Sequence, residues 1–392
     1  MNKTKEIVCL TTTIKIFRAC KMFPSINEHS SIGKLFYIKY AALCILASGV
    51  LVGSSLHLFH TLRSKEYNHI DLDLSYVLSI LGAYLLNIFF CVNSKKALKM
   101  YSFLSDFEEF GKPPKFDVFN ERLNKLSKYH LYYILLTNTL FALASNIFRS
   151  HQCERENMDY GLNEVCGLIN NVWFPFDIDY FPLKQIYITL QIFGVYYVYT
   201  PAAMVTFCLL ETVLHISVRL DHVKDLFMKS LNDENPLKRR KLFNFTVKYH
   251  SRVLKLEDEL NDTFSLSVLC LLLLDAAILG CGASGFIKGG SANPLAVCIA
   301  WFMGLIVVCI SGQHLINKSL SIGVGVCDTN WYNAEASLQR DTVIVLMRCM
   351  KPMQVRAAAF GVMDHVMIVT VVQASFSYVR LLTSAASREV DI

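Results

Sequence analysis

Seven apolar blocks, each long enough to cross a bilayer, constrain this chain more than any other feature. They cover residues 35–59, 72–92, 129–148, 186–214, 264–287, 294–316 and 357–383. About 20 apolar residues span hydrocarbon as an α-helix, because a helix satisfies its own backbone polar groups where no water can. The fold class this predicts is an all-α membrane protein with seven transmembrane helices. A chain 53% apolar and 18% charged also stands outside the range of ordinary soluble domains.

The charges set the direction of those helices. Of the lysines and arginines, 29 fall in the N-terminal arm and the 94–128, 215–263 and 317–356 loops, and only six in the alternate loops and the tail. Basic loops stay in the cytosol. The N-terminus is therefore predicted cytosolic and the C-terminus extracellular. The Asn-x-Ser/Thr acceptors at Asn2, Asn244, Asn261 and Asn317 all lie on the cytosolic side of that scheme. Cys153 and Cys166 share the second outer loop, the compartment in which a disulfide can form. No secretory signal is legible in residues 1–34.

The chain divides accordingly. Residues 1–214 hold an N-terminal arm and helices one to four. Residues 215–263 form cytosolic anchor helices, and 264–316 helices five and six. Residues 317–356 are a cytosolic anchor loop and helix, and 357–392 the seventh helix and an extracellular tail. Residues 14–29 read as a basic amphipathic segment, an interfacial helix ahead of the first span. In 215–263, Leu242, Phe245, Tyr249, Val253, Leu256, Leu260 and Phe264 recur at threes and fours, so a helix runs straight into span five. Its apolar face needs cover, and Trp331, Tyr332, Val343 and Leu346 supply it in a compact cytosolic bundle.

Several chemical motifs are excluded. Gly280, Gly282 and Gly285 match GxGxxG but lie inside a span with no preceding strand, which makes them small-residue helix packing. The thirteen cysteines include no CxxC pair, so no metal site or cofactor is expected. His314 and His365 stand alone. No catalytic constellation occurs, and the chain is not expected to be an enzyme or to bind nucleic acid. Asp275, in mid-span, is the one charge placed at real cost. The outer loop 150–185 is acidic and aromatic, either a lid over a ligand entrance or an interfacial aromatic belt. Pro201 should bend span four.

The last fifty residues carry the sharpest pattern. A helix read from Val355 onwards places Thr370, Gln373, Ser377, Leu381 and Ser384 on one face. Such a stripe avoids lipid. It lines a pore, with Leu381 as an apolar constriction, or packs against another helix.

At this point the residues resemble a known family. The run from Cys349 to Ser384 (CMKPMQVRAAAFGVMDHVMIVTVVQASFSYVRLLTS) is similar to the C-terminal signature of insect odorant receptors. Trp331-Tyr332, the stretch from His250 to Leu269, Trp173 to Asp177 and Phe17 to Pro24 resemble further patterns of that family in the same order. The resemblance implies an odorant-specific subunit of a nonselective cation channel, assembled as a heterotetramer with co-receptor subunits in the plasma membrane of olfactory sensory neurons. A volatile hydrophobic odorant would bind in the outer half of the bundle, and the seventh helix of each subunit would line the cation path. It places the gate at Leu381, with Gln373, Ser377 and Ser384 along the pore. The ligand pocket would lie between spans two, three, four and six. Its candidates are Val77, Ile80, Leu81 and Tyr84, then Phe141, Ser145 and Phe148. Spans four and six add Tyr187, Leu190, Gln191 and Gly194, then Val297 and Trp301. The 215–263 loop is shorter than in the co-receptor. Arg380 is an unusual charge beside a cation path. A G-protein-coupled or gustatory-type chemoreceptor is the alternative; the first needs the opposite sidedness, and the second a C-terminal ending absent here.

Overall fold

The computed structural model describes residues 7–24, 34–64, 70–160, 164–289 and 292–390, and these are almost wholly helical. The helices are α1 (Thr11–Ala19), α2 (Lys34–Ala47), α3 (Gly49–Ser64), α4 (Ile70–Val92), α5 (Ser94–Leu104) and α6 (Phe116–Tyr160). They continue with α7 (Leu183–Leu231), α8 (Pro236–Leu254), α9 (Leu256–Gly289), α10 (Ala292–Cys327), α11 (Ala336–Cys349) and α12 (His365–Val390). Among the described residues, four helices are long and apolar enough to cross a bilayer: α4, α7, the Pro236–Ile287 run and Pro294–Cys327. The α2–α3 pair, bent by 44° at Ser48, makes a fifth. The two remaining expected blocks fall on α6 and α12. The apolar part of α12 is short, at His365–Leu381, and α6 interleaves polar residues, so length and apolarity alone do not reach seven.

The core is built where α7, α10, α9 and α4 pack side by side, with α12 laid on the outside of α9 and α6 along α7. Small residues set these approaches. A Cβ on Gly280 would lie 2.6 Å from Tyr378 Cβ on α12, one on Gly282 would run into Cys298 Sγ on α10, and one on Gly285 would lie 3.1 Å from Leu72 Cγ on α4. Three glycines on α9 thus seat three different helices, as the packing reading of that motif requires. Pro201 stands inside α7 without ending it, and the Asn87 amide of α4 donates to the nearby Val198 carbonyl at 2.8 Å.

The end carrying the basic loops, here the basic end, holds a second packed layer. Asn235 caps α8, its Oδ1 accepting from the Leu237 and Lys238 amides at 3.0 and 3.2 Å, with Pro236 in the first turn. Only Lys255 interrupts α8 and α9, so the expected straight run into the fifth span is present. Of the four residues expected to cover it, Trp331 and Leu346 pack on the core, while Tyr332 and Val343 are exposed. Arg219 is buried and donates to the Leu104 and Asp106 carbonyls at 3.0 and 2.7 Å. It holds the C-terminal end of α5, where unpaired carbonyls and the helix dipole favour a cation.

Two local expectations are corrected. The N-terminal helix starts at Thr11 and ends at Ala19, and its apolar side is turned into the bundle rather than offered to an interface. Ile14 and Phe17 are buried, and Phe17 lies 4.6 Å from the Phe90 ring. Thr13 donates to Glu211 of α7, which Ser127 of α6 also contacts, so one buried carboxylate gathers three helices. Residues 25–29 of the expected helix lie outside the described residues. The final helix begins at His365, not in the 355–357 region. Met353, Val355 and Ala357 are buried at every second position, the period of an extended strand, and the chain turns back so that Met363 N donates to Val355 O at 2.8 Å. Asp364 then caps α12, its Oδ1 accepting from Met367 N at 3.0 Å. Gly312 on α10 makes room for this hairpin, since a Cβ there would overlap the Met363 carbonyl.

Candidate ligand site

A cavity of about 290 Å³ opens between α4, α6, α7 and α10. The four helices are those the family resemblance implies, but the depth differs. Its wall is formed by Ala83 and Leu86 of α4, the 130–138 stretch of α6, 199–206 of α7 and 300–307 of α10. On each helix this register lies closer to the basic end than the expected pocket residues. Of the thirteen, only Trp301 lines the cavity.

Trp301 shows how the wall is made. Gly82 lets the indole lie flat against α4, because a Cβ there would meet the ring itself. The indole Nε1 donates to Ser79 Oγ at 2.7 Å, and Ser79 Oγ lies 3.1 Å from Tyr199 Oη. Three helices are tied by this file, and two of its members face the cavity. Asn138 on α6 donates to Thr200 Oγ1 at 3.1 Å, placing a second polar pair at the opposite wall. Leu86, Ile134, Ala202, Leu271 and Val307 make much of the wall apolar, and His130, Tyr133, Thr137 and Thr206 complete its polar groups. An apolar volume with a few fixed polar groups suits a small, largely uncharged molecule.

The other predicted ligand residues do different work. Gln191 is buried with both ends of its amide engaged, Oε1 accepting from Ile169 N at 2.9 Å and Nε2 donating to Asn170 O at 3.0 Å. Tyr187 donates to the Gly49 carbonyl at 3.1 Å, and Gly194 admits Val50 of α3. These residues seat the outer loop and α3. Ile80 and Val297 are core residues, and Tyr84 is buried with its hydroxyl 3.4 Å from the Cys44 carbonyl. Val77, Phe141 and Leu190 are half-buried, Leu81 is exposed, and Ser145 is buried with no partner for its hydroxyl among the described residues. The side chain of Phe148 lies outside the described residues. Ser79, Tyr199 and Asn138 are absent from the expected set. The legible signal for them was a hydrogen-bonding group inside an apolar span, which hydrocarbon would leave unpaired.

The outer loop is held by several bonds. Cys153 and Cys166 form a disulfide. His57 on α3 places Nδ1 2.8 Å from Asp73 Oδ2 of α4 and Nε2 3.3 Å from Glu164 Oε1 of the loop. The loop's Leu168, Ile169, Val172 and Ile178 are buried against the bundle.

On α12, Val371 and Ser375 face α9, and Tyr378 rests on Gly280. Thr370, Gln373, Ser377 and Leu381 lie on the opposite, exposed side. The hydroxyls of Thr370 and Ser377 bond back to the helix's own carbonyls at 3.1 Å. Among the described residues, the Thr370, Gln373 and Ser377 side chains therefore take no part in the packing of α12 on α9. The side chain of Ser384 lies outside the described residues. Arg380 folds over the Phe376 ring at 4.7 Å.

Comparison with known proteins gives a consistent result. A family model described as "7tm Odorant receptor" matches residues 72–376. Among curated Drosophila melanogaster proteins, putative odorant receptor 92a is 24% identical over 179 residues, 44% of each chain. Odorant receptor 67c is 26% identical over 145 residues, 36% of each chain, and the odorant receptor coreceptor 24% over 148, 36% of this chain and 30% of that one. The chain thus spans less than half the length of the curated relatives it matches. The fold resembles that of the insect olfactory receptor OR5 from Machilis hrabei, solved in complex with eugenol. The TM-score is 0.74 at 12% identity, over 95% of this chain and 97% of that one.

Proposed function

The chain belongs to the 7tm odorant receptor family, and from that premise we propose that it is the odorant-binding subunit of a ligand-gated cation channel. The channel is a heterotetramer with co-receptor subunits in the plasma membrane of olfactory sensory neurons, its seven spans running with the N-terminus in the cytosol. A small hydrophobic odorant in the α4–α6–α7–α10 cavity opens a central pore lined by α12.

The observation that carries this reading is the one-sided packing of α12. A membrane helix that leaves Gln373 and Ser377 exposed needs water or another subunit on that side. Copies of α12 around a common axis meet that need, with Leu381 as the narrow apolar ring of a dewetting gate. A second unpartnered surface stands at the basic end, where Ile344, Met347, Met350 and Phe360 are each more than 60% exposed. A patch of that kind marks a protein–protein contact, and the co-receptor is its proposed partner.

Energetics fit a weakly biased gate. Burying about 250–300 Å² of odorant at ~25 cal/mol/Å² supplies roughly 6–8 kcal/mol before entropic losses. Moving a gate from about 1:99 to 99:1 takes about 5.5 kcal/mol of differential binding. The resting bias is therefore small, and some basal current is expected without odorant. The reading is tested by Leu381→Ala co-expressed with the co-receptor: basal current should rise or permeation change, and unaltered currents would overturn the pore assignment.

A further inference from the structure

The cavity's walls are unequal. Towards α7 and α9 it is backed by buried residues such as Ala202 and the core-packed Leu271. Towards α6 and α10 it is bordered by Tyr133, which is 59% exposed, Met303, 48% exposed, and by exposed Thr137 and Ala300. The same faces of α6 and α10 carry exposed Leu136, Leu140, Ile299 and Ile310, the kind of surface that meets acyl chains. α6 packs along α7 and meets α10 only sparsely, so the seam between α6 and α10 is left unsealed along this wall.

The outer end is closed by contrast. Above the cavity lie Ile80, Val195 and Val198, all buried, and above them the outer loop, with its own buried cluster of Leu168, Val172 and Ile178. Gln191 pins the loop's backbone, and His57 bridges Glu164 to Asp73. A molecule arriving from the aqueous side would have to break these bonds. One dissolved in the bilayer meets the cavity already open.

We propose that the ligand enters sideways from the lipid, between Tyr133 and Thr137 of α6 and Ala300 and Met303 of α10, with Met303 as the residue that sets the width of the mouth. The inference rests on the cavity being the ligand site of the proposed function. The class of ligand follows: an uncharged molecule of about a dozen non-hydrogen atoms that partitions into hydrocarbon and carries at most one or two hydrogen-bonding groups. Access is then governed by concentration in the membrane, not in the surrounding water.

The test uses the full chain with its co-receptor in lipid vesicles preloaded with an uncharged alkyl diazirine of about a dozen non-hydrogen atoms. After illumination, mass spectrometry quantifies adducts at Ala202 and Thr206 on the inner wall, with lipid-facing Leu136 as the reference. Met303→Trp should cut inner-wall labelling about fivefold or more by filling the mouth, and Met303→Ala should raise it. Glu164→Gln, which loosens the outer loop, should leave it unchanged. Inner-wall labelling indifferent to both Met303 substitutions, or increased by Glu164→Gln, would overturn the proposal. Because labelling needs no current, a channel silent to every odorant while labelling follows the expected pattern would sink the ligand-gated reading and leave the lateral mouth standing.

Discussion

Arg219 at the basic end and Asp275 in the middle of the bundle, both buried, are treated in opposite ways. At the basic end Arg219 is buried but donates to three carbonyls between Phe103 and Asp106 and to Tyr249 Oη, with the Phe107 ring 4.8 Å away. Asn261 likewise spends both ends of its amide on the Gln354–Arg356 backbone at 2.8 Å. In the middle of α9, Asp275 is buried and neither of its oxygens has a hydrogen-bond partner among the described residues. A cavity opens on the neighbouring side of α10. Polar groups that are paired specify one arrangement, and an unpaired group beside a void leaves room for another. On the proposed reading, the paired residues lie where subunits would meet, and the unpaired carboxyl lies in the part of the bundle that holds the cavity.

The largest expected effect comes from breaking the rigid end. Arg219→Met removes the donor from three buried carbonyls and should cost about 3–5 kcal/mol, read as thermal unfolding of the solubilised protein. A loss under ~1 kcal/mol would mean that α5 does not depend on this anchor. Thiol chemistry probes the same rigidity without mutation. Burial pushes the Cys349 thiol up to about 11, while Cys327 is exposed. A maleimide near neutral pH should modify Cys327 at least ~100-fold faster than Cys349. Comparable rates would show that the basic end opens readily. In the middle the sign reverses. Asp275→Leu removes an unpaired buried carboxyl and should stabilise the chain by about 1–3 kcal/mol. Destabilisation instead would reveal a partner that the assembled channel brings to Asp275. The smallest effect is at the cavity wall, where Ser79→Ala frees the Trp301 indole and Tyr199 hydroxyl from each other. It should shift odorant sensitivity about tenfold, near 1.4 kcal/mol, with ion selectivity unchanged in current recordings. A change in selectivity would mean that cavity and pore are not separate.

The sequence carried the architecture because apolar length, glycine spacing and helical period are local properties. The Gly280–Gly285 run and the α8–α9 run could both be read from residues a few positions apart. Depth within the bundle could not. Helical period says which face of α4 or α7 turns inward, but the level of a cavity depends on how four helices interdigitate. Here the absence of a side chain at Gly82 lets the Trp301 ring sink onto α4, close to Ser79, a contact spanning more than two hundred residues. Gln191 is a pocket candidate through the family resemblance, and its amide is spent on the outer loop's Ile169 and Asn170. The hairpin before α12 is illegible in the sequence for a different reason. Met353, Val355 and Ala357 alternate as a strand would, yet the surrounding alanines read as helix, and only the packing of Met363 against Gly312 decides between them.

The near-continuous rod formed by α8 and α9 has a mechanical consequence. From Pro236 to Ile287 it counts 52 residues, or about 78 Å at 1.5 Å per residue. Tyr378 leans on it near one tip and the Arg240–Asp341 ion pair fastens it to α11 near the other. A tilt of about one degree sweeps either tip through about 1.4 Å over that length. On the proposed reading, such a lever would turn a small rearrangement at one end of the rod into a displacement at the other.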